Sequence, residues 1–159
     1  MYAQMTMNEY LSIIETVNNV FIFSDTHKWE GLQKEVFASE VLLDYSSFVG
    51  GQSASLPSKQ IVESWQAFLP GFKSTHHQVG NYQVDINANK ASVFCYGTAS
   101  HYLPNPSNQN LWWVVGSYDF DLEKMSSGWR ITKMKFNFKY QDGNVDLPKL
   151  AAEALKDHK

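Results

Sequence analysis

The sequence predicts an α+β fold, in which N-terminal helices pack on one face of a curved mixed or antiparallel sheet that wraps them into a cone. Three observations predict it. Apolar residues recur at helical spacing through the first part of the chain, and from Thr75 to Tyr140 they alternate with period two. The change of period falls at Pro70-Gly71, a helix-ending pair. The later segments are also long, and long strands twist; curled around helices they leave one open end, a natural ligand pocket.

The elements follow in order. "TMNEYLSIIETVNNVFIF" reads as a helix, with Thr6 and Glu9 as a capping box and Tyr10, Ile13, Ile14, Val17, Val20 and Phe21 as its apolar stripe. Asp25 or Thr26 suits the N-cap of a short second helix with Trp29, Leu32 and Val36 on one face. "EVLLDYSSF" reads as a short strand and "VGGQSASLPS" as a loop. Ser58 starts a third helix carrying Ile61, Trp65, Phe68 and Leu69. "THHQVGNYQVDI", "ASVFCYGTASHYL", "LWWVVGSYDFDLEKM" and "WRITKMKFNFKY" then form a meander, joined by "NANK", "PNPSNQN" and "SSG". Helices first and strands afterwards imply α+β rather than a parallel sheet. The expected organisation is one domain over 1–159, with a C-terminal helix at about 147–156 as an appendage.

Composition narrows the function. A 159-residue chain with 43% hydrophobic and 18% charged residues is globular and sized for one core. Its net charge of −3, without a Lys/Arg block, argues against a nucleic-acid partner. The longest apolar runs are too short to cross a bilayer, and no signal-peptide pattern opens the chain, so the expected location is cytoplasmic. The single cysteine, Cys95, has no disulfide or C-x-x-C partner and reads as a small buried strand residue. Gly50-Gly51 lacks the strand-to-helix context of a phosphate cradle. Aromatics reach 14%, which suits a ring-lined pocket.

From about Asn8 to Tyr140 the chain resembles the NTF2-like superfamily, and more narrowly its SnoaL-like and scytalone dehydratase-like members. The residues that carry the resemblance are "D-x-x-x-W-x-x-L", "DYSSF", "I-x-x-x-W", "THHQVGN" and the meander ending in "GWRI". It implies a cystatin-like α+β barrel with a small-molecule pocket, and often a homodimer paired through the sheet. "SDTHKW" sits where those members carry a pocket aspartate, here Asp25, and "DYSSF" where they carry a tyrosine, here Tyr45. His77 matches their catalytic histidine, and His101 in "TASHYL" corresponds to a second pocket histidine. Just before the aspartate they carry another tyrosine, which helps hold a water on the substrate carbonyl; here that position is Ser24.

The residues themselves support part of this chemistry. Neighbours on a strand face opposite sides, so His76 and His77 cannot share a ligand, and a zinc site from that pair alone is disfavoured. His77, as an imidazole titrating near working pH, suits a general acid/base, with Asp25 to orient it, His101 in support and Tyr45 polarising a carbonyl. Simpler readings stand beside these: Asp25 as a helix cap, Tyr45 as an amphipathic strand residue, most aromatics as core. Phe48, Trp65, Phe72 and Tyr118 are expected to line the pocket. Trp113, Phe136 and Phe138 are expected to share a sheet face suited to dimer contact. The leading expectation is a cofactor-free lyase or isomerase acting on a small hydrophobic, cyclic or aromatic carbonyl compound, with no membrane partner. The alternatives are a non-catalytic ligand- or partner-binding protein, and a metal-dependent hydrolase that would carry stoichiometric zinc.

Overall fold

A computed structural model of the chain describes residues 6–157. Helix α1 (Met7–Asp25) begins as expected: the Thr6 hydroxyl accepts the Glu9 backbone N–H at 3.2 Å. Its stripe Ile13, Val17, Val20 and Phe21 is buried, each aliphatic member contributing roughly 1.5–3 kcal/mol. The helix runs on through Asp25, so Asp25 does not cap the next one. Helix α2 (Trp29–Gly31) is preceded by Lys28 with no side-chain cap, and a wide π-type turn, Leu32–Val36, carries Leu32 and Val36 into the core.

Strand β1 (Phe37–Asp44) stops one residue before Tyr45. The physical reason is Asp44, whose Oδ1 accepts both the N–H and the hydroxyl of Ser46, at 3.0 and 2.6 Å, offering the backbone a turn in place of a ladder. The short helix α3 (Ser46–Val49) follows. Ser47 stitches it to the sheet: its hydroxyl donates to the Phe136 carbonyl at 2.7 Å and accepts the Phe138 N–H at 3.0 Å. The segment read as a loop contains an edge strand, β2 (Ala54–Pro57), which is too short and too exposed to show an apolar alternation.

Helix α4 (Ser58–Gln66) and a 3₁₀ turn (Leu69–Gly71) lead into β3 (Ser74–Asn87), β4 (Lys90–Tyr102), β5 (Leu111–Met125) and β6 (Gly128–Gly143). The sheet order is β2-β1-β6-β5-β4-β3. Only β1 and β6 pair in parallel, so the sheet is mixed. The core lies between its concave face and α1.

Helix α5 (Leu147–Asp157) buries Leu147 and Ala151. It rests on the 3₁₀ turn so closely that a Cβ on Gly71 would stand 2.4 Å from the Ala151 carbonyl oxygen. The proposed dimer face needs correction. Phe136 is opposite Tyr118 and Phe138 opposite Gly116, on the inner face, whereas Trp113 is opposite Ser100 and Asp142 and is exposed.

Candidate active site

A cavity of about 300 Å³ opens between α1, α3, α4 and the inner face of the sheet. Its wall is predominantly apolar and, among the described residues, carries no Lys, Arg, Asp or Glu side chain. The polar groups that reach it are few: His77, His101, Tyr45, Tyr118 and Ser24.

His77 and Thr75 share the inward face of β3, while His76 points outward and is exposed. Both inward residues meet Asp25 at the end of α1. The carboxylate accepts the Thr75 hydroxyl at 2.7 Å, the His77 backbone N–H at 2.8 Å and the His77 Nδ1–H at 2.7 Å. A carboxylate in the last turn of a helix faces the negative end of the helix dipole. Three donors offset that cost. Burial alone would push the Asp25 carboxyl up; the bonds and charge of His77, with Thr75, outweigh it and hold the group below the usual carboxylate range. With Nδ1 committed to Asp25, the free nitrogen of neutral His77 is Nε2, an unprotonated base. The side chain keeps 14% of its exposure.

His101 is the β4 partner of Thr75, which places it beside this pair. Its ring stands edge-on to His77, with centroids 6.0 Å apart. The bond that fixes it is to a backbone carbonyl: Nδ1 lies 3.4 Å from the oxygen of Trp112. Burial first, and then the neighbouring His77 charge, push His101 down to about 4.

Tyr45 sits in the turn after β1 and packs on Phe136, as does Tyr118 from β5, with ring centroids 5.5 and 4.9 Å away. The two phenols interact with each other, and burial raises both above the ordinary tyrosine range. Gly97 makes room for Tyr118, since a Cβ there would stand 2.4 Å from its Cε2. Ser24 lines the cavity, but its hydroxyl proton is already given to the Val20 carbonyl at 2.6 Å.

Of the expected lining residues, Phe48, Trp65 and Tyr118 reach the cavity and Phe72 does not. Phe72 follows the 3₁₀ turn and packs behind the wall, 4.8 Å from the ring of His101. The one sequence signal for Thr75 is its parity with His77 two positions away. Phe136 and Phe21 also line the cavity, although the sequence pattern marks them only as sheet-face and helix-stripe residues. Among the described residues, no three His, Cys, Asp or Glu side chains group so as to hold a metal ion.

The profile of the SnoaL-like domain family matches residues 5–135. The chain belongs to the SnoaL-like domain family. Solved structures place this SnoaL-like protein within the NTF2-like fold. The protein Kfla4162 from Kribbella flavida is 25% identical with a TM-score of 0.84, over 89% of this chain and 97% of its own. A candidate scytalone dehydratase from Novosphingobium aromaticivorans is 18% identical with a TM-score of 0.70, over 86% and 87%. The type 3 hexachlorocyclohexane dehydrochlorinase LinA from Novosphingobium barchaimii is 10% identical with a TM-score of 0.70, over 87% and 92%. No curated protein matches the sequence. Among the described residues, no helix is long and apolar enough to cross a membrane.

Proposed function

We propose that this SnoaL-like protein is a cofactor-free lyase or isomerase that moves a proton next to a carbonyl on a small cyclic or aromatic compound. The observation that carries the reading is the His77–Asp25 pair, bonded at 2.7 Å, whose His77 ring stands in the wall of an apolar cavity with Asp25 behind it. His77 Nε2 takes the proton, and Asp25 stabilises the imidazolium that forms. Tyr45 donates a hydrogen bond to the carbonyl oxygen as negative charge develops there. Because burial raises its phenol, Tyr45 keeps its proton. His77 then returns its own proton, to a leaving hydroxyl in an elimination or to a second carbon in an isomerisation.

The cavity volume supports a ligand of one or two rings, since a cavity of about 150 Å³ already holds benzene. Two of the structural neighbours are named for the loss of water and of hydrogen chloride, which favours elimination. We extend the reading to a homodimer through the outer sheet face, where Tyr96, Trp113 and Tyr140 are exposed; the molar mass from light scattering at micromolar concentration tests this part alone, and the 18.2 kDa of a single chain would overturn it.

The decisive variant is His77→Ala. Turnover of a panel of cyclic hydroxy-ketones and β-halo-ketones is expected to fall by about 10²- to 10⁴-fold, with an unchanged circular-dichroism spectrum. Full activity in that variant would sink the catalytic reading and leave a ligand-binding protein.

A further inference from the structure

The polar groups of the cavity differ in what they offer a ligand, and His101 differs most. It is 5% exposed, and its ring is packed against Phe72 at 4.8 Å and Trp112 at 4.4 Å. Its Nδ1 faces the Trp112 carbonyl. A carbonyl oxygen only accepts, so Nδ1 carries the ring proton and Nε2 is left with a lone pair and no hydrogen. Nε2 makes no bond to any described residue, yet among the described residues no buried side-chain nitrogen or oxygen lacks a partner. The atom therefore opens on the cavity that His101 lines.

We infer that His101 is a specificity residue, whose Nε2 accepts a hydrogen bond from an O–H or N–H group of the ligand. The pocket then selects neutral ring compounds that carry such a donor as well as a carbonyl. This rests on the proposed reading of the cavity as a ring-carbonyl site. Tyr118 is engaged with Tyr45, whose phenol is a donor and in the proposed reading serves the carbonyl. His101 cannot serve one: an ether or carbonyl oxygen set against Nε2 places lone pair against lone pair and leaves both unpaired in a buried site. A site built around a substrate hydroxyl discriminates strongly against the analogue that lacks it. Neutrality of the ligand follows from the wall, where no charged side chain stands ready to pair an ion.

The test uses the full chain and compounds that bind without reacting: acetophenone, its 3′- and 4′-hydroxy derivatives and its 4′-methoxy derivative, titrated by calorimetry near neutral pH. One neutral hydrogen bond is worth about 1 kcal/mol, so a hydroxy derivative is expected to bind about fivefold more tightly than acetophenone, and the methoxy derivative no more tightly. His101→Phe is expected to erase that preference while acetophenone still binds. His101→Asn, whose side-chain oxygen accepts, is expected to keep part of it and serves if the phenylalanine variant does not fold. Wild-type protein that does not prefer either hydroxy compound to the methoxy one overturns the assignment. So does a preference that survives both His101 variants, or one lost in His77→Ala and kept in the His101 variants. If no member of the series binds, the ring-carbonyl reading fails and the assignment fails with it. A His77→Ala variant that keeps both full turnover and the hydroxyl preference would sink the catalytic reading alone.

Discussion

His77 and His101 face one cavity from neighbouring strands, and each has its proximal nitrogen tied down, but the two partners are different. His77 is bonded to a carboxylate at 2.7 Å; His101 to a backbone carbonyl at 3.4 Å, between two aromatic rings. A proton arriving at His77 meets a full negative charge. A proton arriving at His101 meets a single dipole and an apolar enclosure. In the function proposed above, the same side chain serves as a base in one place and a fixed acceptor in the other, and the partner at Nδ1 decides which.

The sharpest way to break this contrast is to remove the charge and keep the shape. In Asp25→Asn the amide nitrogen can donate to His77 Nδ1, which puts the ring proton on Nε2 and disables the base. Turnover is expected to fall by about 10²- to 10⁴-fold, mainly in kcat, while binding of unreactive ligands changes little. An equal loss in ligand affinity would show that Asp25 merely shapes the pocket.

The second effect is on stability against pH. His101 is held down at about 4 against an ordinary 6.5, so in acid the unfolded chain binds a proton that the folded chain refuses. Folding stability from this source is full above about pH 6.5 and falls as pH drops toward about 4, by on the order of 3 kcal/mol at most. Asp25 acts lower: its carboxyl is held below its ordinary range, so its contribution is present above that range and is lost as pH falls through the lowered value. Urea midpoints measured from pH 7 to pH 4 should fall less steeply for His101→Phe than for wild type. Parallel curves would contradict the burial of a neutral imidazole.

The smallest effect separates holding Asp25 from charging it. Thr75→Val removes one of three donors and leaves the His77 bond in place. A loss of about 1 kcal/mol in stability, with turnover reduced only a few-fold, is expected from thermal unfolding and steady-state rates. A loss as large as that of Asp25→Asn would mean that Thr75 sets the carboxylate's position.

Much of this contrast was legible in the sequence. Strand parity alone separates His76 from His77 and sends one inward. The helical stripe of α1 and the change of period at Pro70-Gly71 locate the helices and the meander. What was not legible depends on partners distant in the chain. By local pattern Asp25 reads as a cap as readily as a partner of His77, because the donors that claim it, Thr75 and His77, lie some fifty positions away. Tyr45 reads as a strand residue because only the Asp44 side chain shows where the ladder stops. Trp113, Phe136 and Phe138 read as one face because parity within a strand says nothing about register between strands, and β5 and β6 carry shifts in theirs. The tautomer of His101 depends on the Trp112 carbonyl opposite it, a contact that no local pattern announces.

The contact between Gly71 and Ala151 bears on redesign. The 3₁₀ turn that presents Leu69 to the cavity is clamped from behind by α5, with no space left for even a methyl group. The family match ends at residue 135, before α5 begins. A designer seeking a roomier pocket need not touch the chemistry at all. Trimming Leu147, which is buried on α5 and does not line the cavity, would loosen the clamp from outside at a cost of about 2–5 kcal/mol in stability.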